Sequence, residues 1–162
     1  MKMNILFQHT TQTLEPTLTT WILVISGFLI YIPVIYGQIL LLVRPQSQAT
    51  KDFMIGKGEN WRDRTHFRSS YGFAWADLIF FLPLLIAGSI GVILGQVWGY
   101  ALWAAAAAIA VDSNIVLWFS EREYVYPIWG PLAYYTFFWG FFVYWGLVAI
   151  VYAVLRLAGV TF

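Results

Sequence analysis

Residues 71–94 read YGFAWADLIFFLPLLIAGSIGVIL, and after the turn GQVWG the chain continues as YALWAAAAAIAVDSNIVLWF at residues 100–119. Each run supplies about the 20 apolar residues that a helix needs to cross a bilayer. Because so short a turn joins them, we expect two membrane-spanning helices packed as an antiparallel hairpin. Each run also carries one carboxylate, Asp77 in the first and Asp112 in the second. An ionisable group inside a span usually marks a site or a pathway.

Two further apolar runs, at about residues 21–43 and 128–157, flank this hairpin. The predicted fold is therefore all-α, an integral membrane four-helix transmembrane bundle that forms a single transmembrane domain over residues 1–162. Proline removes a backbone donor and tends to bend a helix. Pro33, Pro83 and Pro131 therefore predict kinked helices.

Composition agrees with the membrane assignment and excludes several classes of function. The chain is 60% hydrophobic and only 10% charged, which no ordinary soluble domain of this size shows. Its net charge of +1 argues against a nucleic-acid partner. It has no cysteine and only two histidines, His9 and His66, so thiol chemistry and a pair of haem ligands within the spans are excluded. We predict no cofactor and no metal site.

Basic residues predict the orientation, since cytoplasmic loops carry the excess of Lys and Arg. The loop at residues 44–68 holds six of the nine basic residues and the third loop holds Arg122, whereas Lys2 and Arg156 lie on the other side. We therefore expect a cytoplasmic loop 44–68, both termini on the non-cytoplasmic side, and a multi-pass protein of a bacterial or archaeal cytoplasmic membrane. Acidic residues are interspersed in the loop, which favours a solvated connector over a lipid-headgroup site.

A layer of polar residues is predicted near the cytoplasmic ends of the spans. At 1.5 Å per residue, the two carboxylates each lie about 10 Å inside their helices. The candidate ligand-binding residues at or near this level are Gln38, His66, Arg68, Asp77, Asp112, Asn114, Tyr134 and Tyr135. Such a set predicts a shallow cavity open to the cytoplasm, in which two carboxylates share a proton, bind a cation or hold an amine.

Other interpretations of the carboxylates stay open. Each can accept a hydrogen bond from a neighbouring hydroxyl or amide and simply lock the bundle, or Arg68 and Arg122 can reach inwards and form ion pairs with them. His66 joins the cavity mouth if the second helix begins early, because the spacing 66, 70, 73, 77 then places it on the stripe of Asp77. Otherwise it is an interfacial histidine at the end of a loop.

Small residues recur at helix-packing spacing, as glycine at positions 91, 95 and 99 and as alanine at positions 101, 104, 105 and 108. Such residues let two helix backbones approach closely. We expect them to pack the second helix against the third, and an interface between copies of the chain is the alternative.

Aromatic residues make up 20% of the chain and surround the last helix at residues 134–145. Flat rings on every side suit a prenyl, quinone, sterol or acyl chain. The leading functional hypothesis is a small polytopic membrane protein that binds a lipophilic or amphipathic ligand, with Asp77 and Asp112 holding the polar end of that ligand. Whether the ligand is turned over is left open by the sequence.

Two alternatives belong to other functional classes. One is a non-catalytic accessory or assembly subunit of a larger membrane complex. The other is a proton- or cation-coupled transporter or oligomeric channel, although no polar stripe continues from the predicted layer to the far side of the membrane. The expected partners are a membrane lipid or lipophilic small molecule and, after these, a second copy of the chain or a protein of a membrane complex.

Overall fold

The computed structural model describes residues 14–121 and 141–161, and 81% of these residues are helical, with no strand among them. The all-α prediction is confirmed for this part of the chain. Its elements are α1 (Leu18–Val43), α2 (Gln48–Met54), α3 (Arg64–Ala76), a π-helical turn (Asp77–Phe81), α4 (Leu82–Ile93), α5 (Val97–Glu121) and α6 (Tyr144–Leu157).

Three helical stretches are long and apolar enough to cross a membrane, namely Leu18–Val43, Arg64–Ile93 and Val97–Ser120. They contain the first three predicted spans. A shorter apolar helix covers Phe141–Leu157, which is the second part of the predicted span 128–157; the first part lies outside the described residues. Length and composition are thus those of a membrane protein.

The predicted loop 44–68 contains a short helix, α2. Ser47 caps α2 by accepting a hydrogen bond from the Thr50 amide, as serine does at many helix starts. The buried Thr50 hydroxyl then donates to the Arg44 carbonyl at the end of α1 over 2.7 Å. The hydroxyl thereby holds α2 against α1, within a loop whose residues are mostly exposed.

The second long helix also begins earlier than the predicted residue 71, at Arg64. Asp63 caps it by accepting hydrogen bonds from the amides of Thr65 (2.7 Å) and His66 (2.9 Å). Hydrogen bonds from the His66 amide and the Arg62 side chain lower the pKa of Asp63 to about 2. A carboxylate that accepts several donors at a helix N-terminus is stabilised in its charged form.

The π-helical turn Asp77–Phe81 interrupts the second long helix just before Pro83. A proline ring clashes with the carbonyl four residues earlier, and Ile79 occupies that position. Widening of the helix into a π turn relieves this conflict, and such turns are frequent at functional sites. Pro83 therefore accounts for the distortion that begins at Asp77.

Helices α4 and α5 form the expected antiparallel hairpin, joined through Gly95, whose φ of +67° suits glycine. The closest approach is between Gly91 and Gly99, where a Cβ atom on Gly91 would lie 2.5 Å from the Gly99 Cα. Farther from the turn, a Cβ on Gly88 would lie 2.8 Å from the Trp103 nitrogen. The glycines thus pack the hairpin within one chain, as predicted.

Helix α6 completes the core by packing against α5 and α1. The Trp145 ring lies over Gly27, where a Cβ would approach its Cζ2 to 2.6 Å, and its indole N–H donates to the Leu23 carbonyl over 3.0 Å. Trp103 of α5 meets the same indole edge-on, with ring centroids 6.0 Å apart. A glycine on one helix therefore makes room for a tryptophan on another.

Candidate functional site

A polar pair lies between α1 and the π-helical turn. The Gln38 side-chain amide donates a hydrogen bond to Asp77 Oδ2 over 2.8 Å. Gln38 is 5% exposed, and Asp77 is half-buried. Asp77 is the first residue of the π-helical turn, and its side chain contacts Gln38 of α1. An interhelical contact therefore joins two of the predicted site residues.

The pair is rich in unused hydrogen-bond acceptors. Gln38 Oε1 is buried and has no hydrogen-bond partner within the described part of the chain. An ionised carboxylate offers about four lone-pair positions, and the bond from Gln38 is the single hydrogen bond to the Asp77 carboxylate found among residues 14–121 and 141–161. An ionised carboxylate accepts only from the amide NH₂, so the amide oxygen must point away from it. The arrangement is suited to a group that carries several donors.

Aromatic rings form a tightly packed floor on the side of this pair that faces the middle of α1. Tyr31 lies seven residues before Gln38 on the same stripe of α1. Its ring centroid is 4.8 Å from that of Phe81, 5.4 Å from that of Phe142 and 5.3 Å from that of Trp145. All four rings are buried. The polar layer therefore ends on an aromatic cluster contributed by α1, the π turn, Phe142 and α6.

Tyr31 also adds an unused polar atom to the region. Its side chain is 2% exposed, and its hydroxyl has no hydrogen-bond partner among the described residues. Sequence reasoning missed this residue, although its seven-residue spacing from Gln38 on an apolar helix was a usable signal.

Asn114 faces the bundle from α5. Continuing along the hairpin from the contacts of Gly91 and Gly88 brings Asp77 level with about residues 113–114 of α5. Asn114 is buried, and its amide donates to the Ala110 carbonyl of its own helix over 2.7 Å. The structure thus places this predicted residue at the depth of the Gln38–Asp77 pair, with one of its two amide donors bonded to its own helix.

Asp112 is not brought into this pair. It lies on α5 at nearly the same depth as Asn114, but its side chain is exposed. Two residues along an α-helix correspond to a rotation of about 200°, so the helix that turns Asn114 inwards turns Asp112 outwards. The expectation of a shared two-carboxylate cavity is corrected to a single inward carboxylate, Asp77.

His66 and Arg68 differ in their surroundings. Because α3 begins at Arg64, His66 lies on the stripe of Asp77, about 16 Å away along the helix. It is buried, its Nδ1 accepts from the Arg62 amide over 3.3 Å, and its ring packs edge-on against Trp61. Arg68 is exposed and makes no ion pair with any described residue. The inward ion-pair network is therefore not formed by Arg68.

The other predicted residues, Tyr134 and Tyr135, lie outside the described residues, as does Arg122. Within residues 14–121 and 141–161, no three His, Asp or Glu side chains converge in a way that could hold a metal ion.

A second polar cluster, which sequence reasoning missed, lies at the opposite end of the bundle. The Tyr152 hydroxyl is 2.6 Å from both the Thr17 and the Thr20 hydroxyls. Arg156 is buried, donates from Nη2 to the Glu15 carbonyl over 2.5 Å, and lies 5.6 Å from the centroid of the Tyr100 ring. The guanidinium is thus held by a backbone carbonyl and an aromatic face.

An apolar groove lies on the outer surface of the bundle at this same end. It has a volume of about 400 Å³ and is lined by Thr19, Leu147, Val148, Val151, Tyr152 and Leu155. Thr19 and Gln38 are separated by about 28 Å along α1. The groove is therefore separate from the Gln38–Asp77 pair, and its walls are mainly aliphatic.

Comparisons with protein-family models, with curated proteins and with solved structures gave no match to this chain.

Proposed function

We propose that this chain is a multi-pass membrane protein that binds the polar end of an amphipathic molecule at Gln38 and Asp77. The molecule carries a hydrogen-bond donor group, of which a protonated amine is the best fit. The proposal includes the four-span bundle with kinked helices, the cytoplasmic loop 44–68 and both termini on the non-cytoplasmic side.

The observation that carries this proposal is the unused acceptor capacity of the Gln38–Asp77 contact. A buried polar atom without a partner costs about 1–3 kcal/mol, and Gln38 Oε1 is such an atom in the described part of the chain. An ammonium group has three donors and no acceptor. It can donate to the unused lone pairs of the Asp77 carboxylate, and Gln38 Oε1 is a further acceptor beside that carboxylate. An ionised carboxylate head group has no donor for either acceptor.

The aromatic floor supports binding rather than passage through the protein. Tyr31, Phe81, Phe142 and Trp145 pack closely on the side of the pair that faces the middle of α1, and close packing leaves few gaps of the size of a water molecule. A transport path would need polar groups or water beyond this floor. The geometry therefore favours a site with one polar end over a pathway.

A head-group series tests the proposed ligand chemistry. Dodecylamine, dodecanol and dodecanoate are titrated into the purified protein in detergent, and tryptophan fluorescence reports binding. We expect the amine to bind most tightly and dodecanoate least. Asp77→Asn should weaken amine binding by about tenfold or more, because a hydrogen bond to a charged group contributes about 1.5–3 kcal/mol.

Asp52→Asn is the matched control, since Asp52 is an exposed carboxylate held by Gln48 and the Gly58 amide outside the long apolar helices. It should leave the amine affinity unchanged. Native mass spectrometry of gently extracted wild-type and Asp77→Asn protein adds a search for the natural ligand. Equal binding of the three probes, or equal amine affinity in the wild type and Asp77→Asn, would contradict the proposal.

The topology is tested separately by cysteine labelling, because the chain has no cysteine of its own. Lys57→Cys in the loop and Val160→Cys after α6 are both exposed positions. An impermeant maleimide added to intact cells should label the protein at position 160 but at position 57 only after the membrane is opened. The reverse pattern would overturn the proposed orientation.

A further inference from the structure

One face of α5 is left without a neighbour in the described part of the chain. Its exposed positions recur every three or four residues and form a single stripe along the helix. We call this stripe the α5 outer face; it consists of Ala101, Ala105, Ala108, Asp112, Val116 and Phe119. The face opposite to it holds the buried residues that pack against α4 and α6, such as Trp103 and Ala107.

Asp112 is the single ionisable residue on the α5 outer face, and it lies well inside the apolar helix. Eight residues separate it from Ser120 at the end of the span Val97–Ser120, which corresponds to about 12 Å. It makes no hydrogen bond or ion pair with any described residue. A carboxylate facing lipid at this depth is strongly unfavourable and is normally paired with another group.

None of the described residues offers a cation to Asp112 at this depth. Among the described residues, Arg156 is buried at the opposite end of the bundle. Arg68 lies nearer the start of α3, nine residues or about 14 Å before Asp77, which is at nearly the level of Asp112. The basic residues of the loop 44–68 lie beyond the end of α1. The described residues of a second copy would therefore bring another Asp112 but no positive charge to this level of the face.

We propose that the α5 outer face binds a membrane-spanning helix of a different protein, and that this helix carries a lysine or arginine at the level of Asp112. The three alanines allow the partner helix to approach closely. The partner's cation neutralises the carboxylate in a region of low dielectric, where a charge pair is strong. The proposal does not depend on the ligand site at Asp77, which faces α1.

A designed peptide tests the pairing directly. The probe is a leucine–alanine transmembrane peptide with one lysine about 12 Å from its cytoplasmic end, and the control peptide has leucine at that position. Association with the labelled protein in phosphatidylcholine vesicles is followed by energy transfer. The lysine peptide should bind at least about threefold more tightly than the leucine peptide, the factor that corresponds to a typical polar contact between membrane helices.

Asp112→Asn should abolish this preference, because asparagine keeps the size of the side chain but not its charge. Asp77→Asn should retain it, since Asp77 lies on the inward side of the bundle. Equal binding of the two peptides to the wild type, or an unchanged preference in Asp112→Asn, would refute the proposal.

Photocrosslinking in cells identifies the natural occupant. A photoreactive amino acid is placed at Ala108 on the α5 outer face and, as a control, at Val151 on the exposed side of α6. The adduct at position 108 should be a different membrane protein with Lys or Arg in a span. Exchanging charges, with Asp112→Lys here and the partner's cation changed to Asp, should restore an adduct that either change alone removes. Adducts with lipid alone, or with a second copy of this chain, would overturn the proposal.

Discussion

The close contact between α4 and α5 makes a quantitative prediction about Gly91. A Cβ atom added there would lie 2.5 Å from the Gly99 Cα and 2.7 Å from Cζ3 of the Trp98 ring. Carbon atoms prefer separations of about 3.5–4.0 Å, so Gly91→Ala must push the helices apart by about 1 Å. Because the obstacle includes backbone rather than only a flexible side chain, overpacking should cost roughly 1–3 kcal/mol.

Gly72 provides the matched control for this substitution. It lies in α3, is exposed, and has no atom within 4 Å of the position of an added Cβ. Both Gly→Ala changes gain about 1 kcal/mol from the better helix propensity of alanine. The difference between the two variants therefore isolates the packing cost, and Gly91→Ala should be less stable than Gly72→Ala by roughly 1–3 kcal/mol.

Equilibrium unfolding in mixed micelles of a mild detergent and sodium dodecyl sulfate measures this difference. Far-UV circular dichroism reports the helices and tryptophan fluorescence the packing, and agreement of the two supports a two-state treatment. If Gly91→Ala is as stable as Gly72→Ala, the helices are not in contact at this glycine and the deduced hairpin register is wrong.

Three further predictions concern the helix cap, the interhelical hydroxyl cluster and the short helix. Because the pKa of Asp63 is lowered to about 2, the stability that its charged form contributes is complete above about pH 4 and is lost as the pH falls to about 2. The wild type should therefore lose stability over this interval relative to Asp63→Asn. Parallel pH curves of the two unfolding midpoints would contradict this prediction. Tyr152→Phe removes a hydroxyl that is 2.6 Å from two threonine hydroxyls, so this change should destabilise the protein by about 0.6–1.7 kcal/mol in the same unfolding assay. Tyr144→Phe, at an exposed position, should leave the stability unchanged. Thr50→Val removes the bond from α2 to the Arg44 carbonyl, and limited trypsin digestion should then cleave at Lys51 and Lys57 faster than in the wild type; an unchanged rate would show that the hydroxyl does not hold α2.

The sequence predicted how deep the candidate residues lie along their helices, but not which side of its helix each residue occupies. Counting residues from the helix ends placed Asp77 and Asp112 at matching depth, and the hairpin register agrees, since it puts Asp77 level with about residues 113–114. The side of α5 on which each residue lies was not predictable. This helix is apolar almost all round, so its sequence contains no polar stripe to indicate which face is outward.

The same limit applies to the small residues. Glycine and alanine recur at similar spacing in α4 and α5, yet Gly91 and Gly99 lie inside the hairpin while Ala101, Ala105 and Ala108 lie outside it. Spacing indicates that a face can pack closely but not which helix it meets. The position of Tyr31 in the aromatic floor likewise depends on rings that other parts of the chain contribute.

The sequence by itself determined the helical class, the positions of three long apolar helices and the hairpin between the last two of them. These features depend on local composition and on the length that a membrane crossing requires. Both can be read from one segment of the sequence without its neighbours. Only the tertiary structure decided that Gln38 meets Asp77, that Asp112 faces outwards and that Arg156 is buried beside Tyr100. These contacts depend on the rotation of each helix about its own axis, and that rotation is set by packing against the neighbouring helices.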